Sequence, residues 1–460
     1  MKGSILDLMK GKKAVLILAV ASFMVSAWAM AQQNATAPAA VPVAATPMAT
    51  PAAPAAPAIN AGDTAWVLVS SALVLLMTPG LAFFYGGMVR RKNVMATIMQ
   101  SFFLVALISV QWVIYGYSLA FSPGNGFVGG LSWLFLGNMP AVNASAPTIP
   151  HYAFMIFQAM FAIITPALIC GAYAERVKFW GFAVFSLLWA TVVYDPIAHW
   201  VWGGGYFGNL GALDFAGGTV VHMSSGWSAL TLALLLGTRK GYGKETMVPH
   251  NLTLVLLGAS LLWFGWFGFN AGSAGAANAL AANAFVTTNT ATAMAALVWC
   301  AIEALHHGKP TSLGAASGAV AGLVAITPAC GYVNILGSLM IGALVAILCY
   351  AAIQVKVKMG YDDSLDAFGV HGIGGTFGAL ATGLWALKSV NAGGADGLFA
   401  GNPAQFVIQL KTVGATAVYS VVCTVILYLL VEKTLGFRAD SKEEELGLDL
   451  SQHGEEGYHI

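Results

Sequence analysis

The side chains in this sequence that could do chemistry stand out because they interrupt long apolar runs. They are Asp195, His199, Asp214, His222, Glu303 and His371. An ionisable group is expensive in hydrocarbon, so it faces the interior of a helix bundle and marks a path for ions or protons. Two of these residues share a pattern. His222 lies 8 residues after Asp214, His371 lies 8 residues after Asp363, and Gly226 and Gly375 each follow their histidine by four. Paired imidazoles in a dry passage can hydrogen-bond to each other, one ring nitrogen donating and one accepting, and hand a proton along. A lone buried histidine is more often a satisfied core residue, but two in matched settings argue for a pathway. A zinc enzyme would need a third protein ligand, and none stands at matching depth. Neither an enzyme nor a metal or cofactor is therefore expected. His199, just after Pro196, reads as structural, and a helix-packing hydrogen bond is the plainest role for Asp195. Glu175 and Glu303, near Arg176 and Lys309, read as boundary salt bridges.

The elements that must hold these residues are membrane helices. Only 39 of 460 residues are charged, 8%, and 58% are hydrophobic; a soluble domain carries about 25% charge. That excludes a cytosolic enzyme and a disordered scaffold, and a net charge of +1 gives no basic field for nucleic acid. Between Thr64 and Val431 there are 13 basic and 9 acidic residues. Apolar segments are expected at 65–88, 94–121, 151–173, 179–201, 215–237, 250–270, 284–305, 311–328, 333–354, 367–387 and 405–432. Loops after the odd segments up to the ninth carry 11 Lys and Arg, from Arg90 to Lys358, while loops after the second, fourth, sixth and eighth carry none. The positive-inside rule then places the mature N-terminus outside and the C-terminal tail in the cytoplasm.

The expected fold is an all-α polytopic membrane protein with eleven transmembrane helices. Segments one to five and six to ten would form two inverted five-helix repeats, with a C-terminal helix added. Inverted repeats place their shared site near the midplane. At 1.5 Å per residue, His222 and His371 each lie about 12 Å into a core about 30 Å thick, from opposite faces.

The ends of the chain read differently. Lys2, Lys10, Lys12 and Lys13, the apolar stretch Ala14 to Trp28, and Ala29-Met30-Ala31 form a signal peptide over 1–31, with cleavage expected before Gln32. Residues 32–60 form an Ala/Pro-rich linker, 61–433 the membrane domain and 434–460 a charged cytoplasmic tail. The five cysteines lack metal-ligand spacing and are expected to be free thiols.

Several runs resemble the ammonium transporter family (Amt/Mep/Rh), of the bacterial Amt type. They include Met77 to Arg90, Gly171 to Arg176, Asp214 to His222, Trp263 to Ser273, Thr327 to Tyr332, Phe368 to Gly372 and the tail from Gly447 to Tyr458. The resemblance covers about residues 62–460. It implies a homotrimer with a pore in each subunit, located in the inner membrane, and a PII signalling protein docking on the cytoplasmic face. By the same resemblance, Phe157, Phe161, Trp202 and Ser273 form the outer ammonium site. Phe161 and Phe269 form a stacked gate, Asp214 supports the site without touching the ion, and His222 and His371 line the dry pore as a proton relay. The run Gln158-Ala-Met-Phe161 and Asp195 depart from the family's usual apolar or small residues. Moving an intact cation through an apolar pore is costly, whereas neutral ammonia pays little. Recruitment of ammonium, loss of a proton and passage of ammonia past the imidazoles is therefore the expected route. An ammonium sensor and a neutral-gas channel of the Rh type are the rival readings. Sensors of this kind usually carry an added signalling domain, and the Asp214 motif and the tail argue against the Rh type.

Overall fold

A computed structural model describes residues 58–458. The expected leader and nearly all of the Ala/Pro-rich linker lie outside the described residues. The membrane part is all helical. Helix α1 is Ala61–Met88. Helix α2 begins at Val94, passes through a π-turn at Trp112–Gly116 and ends at Phe121. Helix α3 is His151–Tyr173. Helix α4 joins Phe179–Trp189, a π-turn at Ala190–Tyr194 and Asp195–Val201. Helix α5 opens with a π-turn at Gly218–Met223 and continues as Ser224–Leu236. There follow α6 (Leu252–Gly272), α7 (Ala279–His307), α8 (Ser312–Ile326) and α9 (Ile335–Met359). Helix α10 again opens with a π-turn, Phe368–Gly372, before Ile373–Trp385; α11 is Pro403–Thr434.

Among the described residues, nine helices are long and apolar enough to cross a membrane. The other two expected segments are shorter. Segment 311–328 folds as the 15-residue α8 and turns at Thr327, and segment 367–387 gives its first turn to the π-turn, leaving 13 residues of α-helix. Side chains set the helix ends. Asn60, Asn251, Asn278 and Asn334 each accept a backbone N–H from the first turn of α1, α6, α7 and α9, and Thr311 does the same for α8.

Glycine fixes how closely these helices approach. A Cβ on Gly87 of α1 would lie 2.7 Å from the Asn251 carbonyl, and one on Gly258 of α6 would lie 2.6 Å from the Gly80 carbonyl. So α1 and α6 touch backbone to backbone, as small residues allow where lipid gives no hydrophobic drive for association. Helices α5 and α10 meet in the same way. A Cβ on Gly226 would stand 2.7 Å from the carbonyl carbon of His371, and one on Gly375 would stand 2.8 Å from the Cβ of His222. The glycines four residues after each histidine thus let each histidine's helix press against the other's.

At the Arg-rich end the boundary charges pair differently from their order in the chain. Glu175 meets Arg90 (2.5 Å) and Arg239 (3.7 Å) rather than Arg176. Glu175 has a positive φ of 72°, which turns consecutive side chains apart, and Arg176 points inward to Asp362 (3.6 Å) and Ser364 (2.5 Å). Arg239 holds Asp362 through its backbone N–H and two guanidinium nitrogens, at 2.7–2.9 Å. Glu303 accepts from the backbone N–H of Thr311 (2.8 Å) and from its hydroxyl, so its partner is the start of α8 rather than Lys309.

The tail packs on loops of its own chain. Helix α12 (Ser441–Leu446) carries a capping box from Asp440 and Glu443. Lys92 Nζ donates to the carbonyls of Glu444 (2.9 Å) and Glu445 (2.6 Å). The Asp449 carboxylate accepts from Met95 N (3.0 Å) and Ala96 N (2.7 Å), so the tail caps the start of α2. The Tyr458 hydroxyl accepts from Asn251 Nδ2 and bonds His250 Nε2, each at 3.2 Å, while His250 Nδ1 donates to the Val89 carbonyl at 2.9 Å. The five cysteines are free, three of them buried.

Candidate functional site: cavities in a row past two histidines

Both histidines sit on π-turns, and each π-turn is opened by an aspartate. Asp214 Oδ1 accepts from Gly217 N (2.8 Å) and Gly218 N (2.6 Å); Oδ2 accepts from Thr219 N (2.7 Å) and from the Thr219 hydroxyl. Asp363 repeats the device for α10, accepting from Ala367 N (3.0 Å) and Phe368 N (2.8 Å). A carboxylate satisfies the free N–H groups of a helix start and complements its dipole. Single π-turns recur at functional sites because the extra residue shifts a side chain around the helix. Here the shift lands on His222 and His371.

The two imidazoles meet. Their Nδ1 atoms are 3.4 Å apart, and their ring planes differ by only 20°. Both are buried, and His222 Nε2 has no protein hydrogen-bond partner. They share a narrow cavity of about 10 Å³ with Ile164, Leu168, Val221, Leu262 and Val320. That is room for about one water-sized molecule. Trp266 lies parallel to His222 (centroids 5.4 Å, 22°) and is fixed by its indole N–H to Thr327 Oγ1 at 2.8 Å.

One end of this cavity is closed by two phenyl rings in contact, inclined at 35°. Phe161 and Phe269 have centroids 4.2 Å apart, and Phe269 lies over His222 at 6.1 Å. Beyond Phe161 opens a larger cavity of about 250 Å³, lined by Phe157, Gln158, Phe161, Trp202, Phe215 and Ser273 among others. Phe161 meets Phe157 edge-on at 5.0 Å and Trp202 at 5.8 Å. The indole N–H of Trp202 donates to the Asp214 backbone carbonyl at 2.9 Å. Asp214 therefore holds Trp202 with its main chain and α5 with its side chain. Ser273 Oγ donates to the Phe269 carbonyl at 2.8 Å, so its lone pairs remain able to accept. On the far side, His371 and Val320 also line a third cavity of about 40 Å³ with Tyr85, Ser317, Asp366 and Val370. Asp366 is ion-paired to Lys356 there.

All eight expected site residues thus fall along one line. Phe157, Phe161, Trp202 and Ser273 share the vestibule, Phe269 closes it, His222 and His371 follow, and Asp214 braces the wall. Trp266, Asp363 and Gln158 join the site in the structure. Trp266 stands three residues before Phe269 on the same face of α6, and Asp363 matches Asp214 in spacing, so both were within reach of the sequence. His199 bonds the carbonyls of Ala120 (2.9 Å) and Asn125 (2.8 Å), a structural place. Among the described residues no group of three or more His, Cys, Asp or Glu could hold a metal ion.

Outside the helices, charge is finely set at the Arg-rich end. Burial alone would raise the Asp362 carboxyl, but the Arg239 hydrogen bonds and the charges of Arg239 and Arg176 outweigh it and hold it below the usual range. Burial pushes Asp363 up to about 6, with Lys356 pulling the other way and Asp366 adding to the rise.

The model of the Ammonium Transporter Family matches residues 65–458. The chain is 52% identical over 399 residues to an ammonium transporter of Bacillus subtilis, covering 86% of this chain and 98% of that one. It is 48% identical to the ammonium transporter Amt1 of Archaeoglobus fulgidus, covering 86% and 99%. The crystal structure of Saccharomyces cerevisiae Mep2 superposes with a TM-score of 0.79 at 37% identity, over 84% of this chain and 88% of that one. A sensor Amt protein also superposes, with a TM-score of 0.78 at 27% identity, over 85% and 98%. With its apolar helices, its paired histidines and a family match that spans the described membrane part and tail, this chain belongs to the ammonium transporter family.

Proposed function

We propose that the chain carries ammonium nitrogen across the inner membrane, taking up ammonium at the Trp202 end and conducting ammonia past His222 and His371. The observation that carries this reading is the row of cavities joined by shared walls. Phe161 belongs to the vestibule and contacts Phe269, which lines the histidine cavity, and His371 opens onto the last cavity. A small cation suits the vestibule, where each aromatic face contributes about 0.5–2 kcal/mol and Ser273 Oγ can accept a hydrogen bond. The narrow cavity offers an ammonium ion no carboxylate, so entry as a cation would strip its hydration without compensation. Ammonia enters at little cost, and its proton has the paired imidazoles to travel on.

The same reading takes eleven membrane spans, with α8 and α10 as the two short ones, arranged as two inverted five-helix halves plus α11. It takes a homotrimer, a PII protein that reads the face formed by the tail and the Arg-rich loops, and a mature chain beginning at Gln32 with its N-terminus outside. The deciding experiment is an ammonium jump on purified protein in liposomes on a solid-supported membrane. A saturable current in response to ammonium supports the proposal, and its absence from folded protein would sink it. Sensing is the second reading, favoured by the likeness to a sensor Amt protein. It would show ammonium binding without sustained flux.

A further inference from the structure

A second polar pair lies inside the helices and off the row of cavities. Gln111 is the last regular residue of α2 before its π-turn, and Asp195 directly follows the π-turn of α4. Both are buried, Asp195 completely and Gln111 with 2% exposed. Gln111 Nε2 donates to Asp195 Oδ2 at 2.8 Å. The remaining atoms of the same two planar groups, Gln111 Oε1 and Asp195 Oδ1, are buried with no hydrogen-bond partner. Gly116 makes the space for this amide: a Cβ there would stand 2.6 Å from Gln111 Nε2.

With an ionised Asp195 both leftover atoms are acceptors and cannot satisfy each other. A buried carboxylate facing one neutral amide also has nothing to offset its desolvation. Lysine and arginine supply no counter-charge. The Lys and Arg residues nearest in the chain stand before α2 and α4, at Arg91, Lys92 and Lys178. Tyr194 packs against Trp112, and its hydroxyl is itself unpartnered. Tyr115 bonds Thr191, Tyr419 of α11 bonds the Val192 carbonyl, and His151 of α3 bonds Tyr117. His199, one turn along α4, has its ring nitrogens against the carbonyls of Ala120 and Asn125, so neither nitrogen is turned to Asp195. A hard metal cation would want about six oxygens, and the pair offers two, or three with the Tyr194 hydroxyl.

A single proton resolves the site. On Asp195 Oδ1 it would be donated to Gln111 Oε1, while Gln111 Nε2 donates to Oδ2, closing a ring of two hydrogen bonds. We propose that Asp195 is a proton-binding site, held as the neutral acid in this ring with Gln111, and that the ring positions the outer part of α4. Seven residues of helix run from Asp195 to Val201, and Trp202 of the vestibule follows at once. Asp195 is thus a positioning residue for the recruitment wall and touches no substrate.

Infrared spectroscopy of the purified full-length protein tests this. The expected result is a protonated-carboxyl carbonyl band that persists from about pH 5 to about pH 9, where a free aspartate is ionised, and that disappears in Asp195→Asn. Asparagine can donate where the acid did, so this variant should melt close to wild type and keep its ammonium current. Gln111→Leu should keep the acid band but shift its frequency, because the ring is lost, and should lower the melting temperature. The Gln111→Leu shift and the wild-type band across pH serve as the readout if Asp195→Asn fails to fold. A carboxylate signal in place of the acid band overturns the proposal, as does a signal that responds to sodium.

Discussion

Replacing Asp214 separates its two tasks. Asp214→Asn keeps an oxygen for Gly217 N and Gly218 N but places an NH2 group where Oδ2 accepted Thr219 N and its hydroxyl. The hydroxyl can turn and accept from the new amide; the Thr219 N–H cannot, and is left buried without a partner. One such orphan costs about 1–3 kcal/mol. Asp214→Ala removes the acceptor of four N–H groups, those of Gly217, Gly218, Thr219 and Val220, and loses the charge at the helix start, so about 3 kcal/mol or more is expected. Because the Asp214 carbonyl also holds the Trp202 indole (2.9 Å), the vestibule should loosen as the π-turn relaxes. Thermal melting in detergent and ammonium-jump currents together read the two effects. The expected order in both is wild type, then Asn, then Ala. Thr219→Val combined with Asp214→Asn should lose less than the sum of the single changes, since both remove one network. Wild-type melting and wild-type current in Asp214→Ala would refute the bracing role.

Three more outcomes follow from the same structure. Gly226→Ala drives a methyl against the backbone of His371 and should cost about 1–3 kcal/mol by overpacking; melting checks the cost, and a weakened current would report the displaced histidine. Asp449→Ala removes the tail's cap on α2, worth about 1 kcal/mol, and should speed trypsin cleavage at the already exposed Lys442 while the membrane helices stay folded. It should also lower flux, as should deletion of 440–460, and unchanged flux in both would make the tail passive. Asp363 holds its proton in the folded chain to higher pH than an unfolded aspartate does, up to about 6. That favours the fold below the unfolded pKa of about 4, and the benefit fades as pH rises through about 6. Melting curves of wild type and Asp363→Asn should therefore differ in slope between about pH 4 and about pH 6, and run parallel above it.

The line of the site was legible in the sequence because its signals are unlike their surroundings. Two histidines in hydrocarbon, each 8 residues after an aspartate and four before a glycine, cannot be read as ordinary core. The glycines prove to be the contact that lets α5 and α10 meet. The π-turns were not legible, since one extra residue per turn changes no composition and leaves the apolar pattern intact. The apolar pattern also runs a residue or two past the ends of α8 and α10, through Thr327-Pro328 and Ala386-Leu387, where no charged residue marks the stop. Sequence order sets Glu175 beside Arg176, but the positive φ at Glu175 sends its side chain to Arg90 and Arg239 instead. Asp195 could not be placed without Gln111, which is 84 residues away.

The central claim is that the paired imidazoles carry the proton that ammonium gives up. The measurement closest to it is the ammonium-jump current of His222→Ala and His371→Ala, each reconstituted as folded, assembled protein. With the Nδ1–Nδ1 contact of 3.4 Å removed, the cavity widens but the relay has lost a member. Both variants should lose the ammonium-driven current, and His222→Asp or His371→Glu could restore part of it, since a carboxyl also passes a proton. Wild-type current with wild-type ammonium selectivity in both alanine variants would contradict the account and leave the histidines as pore lining.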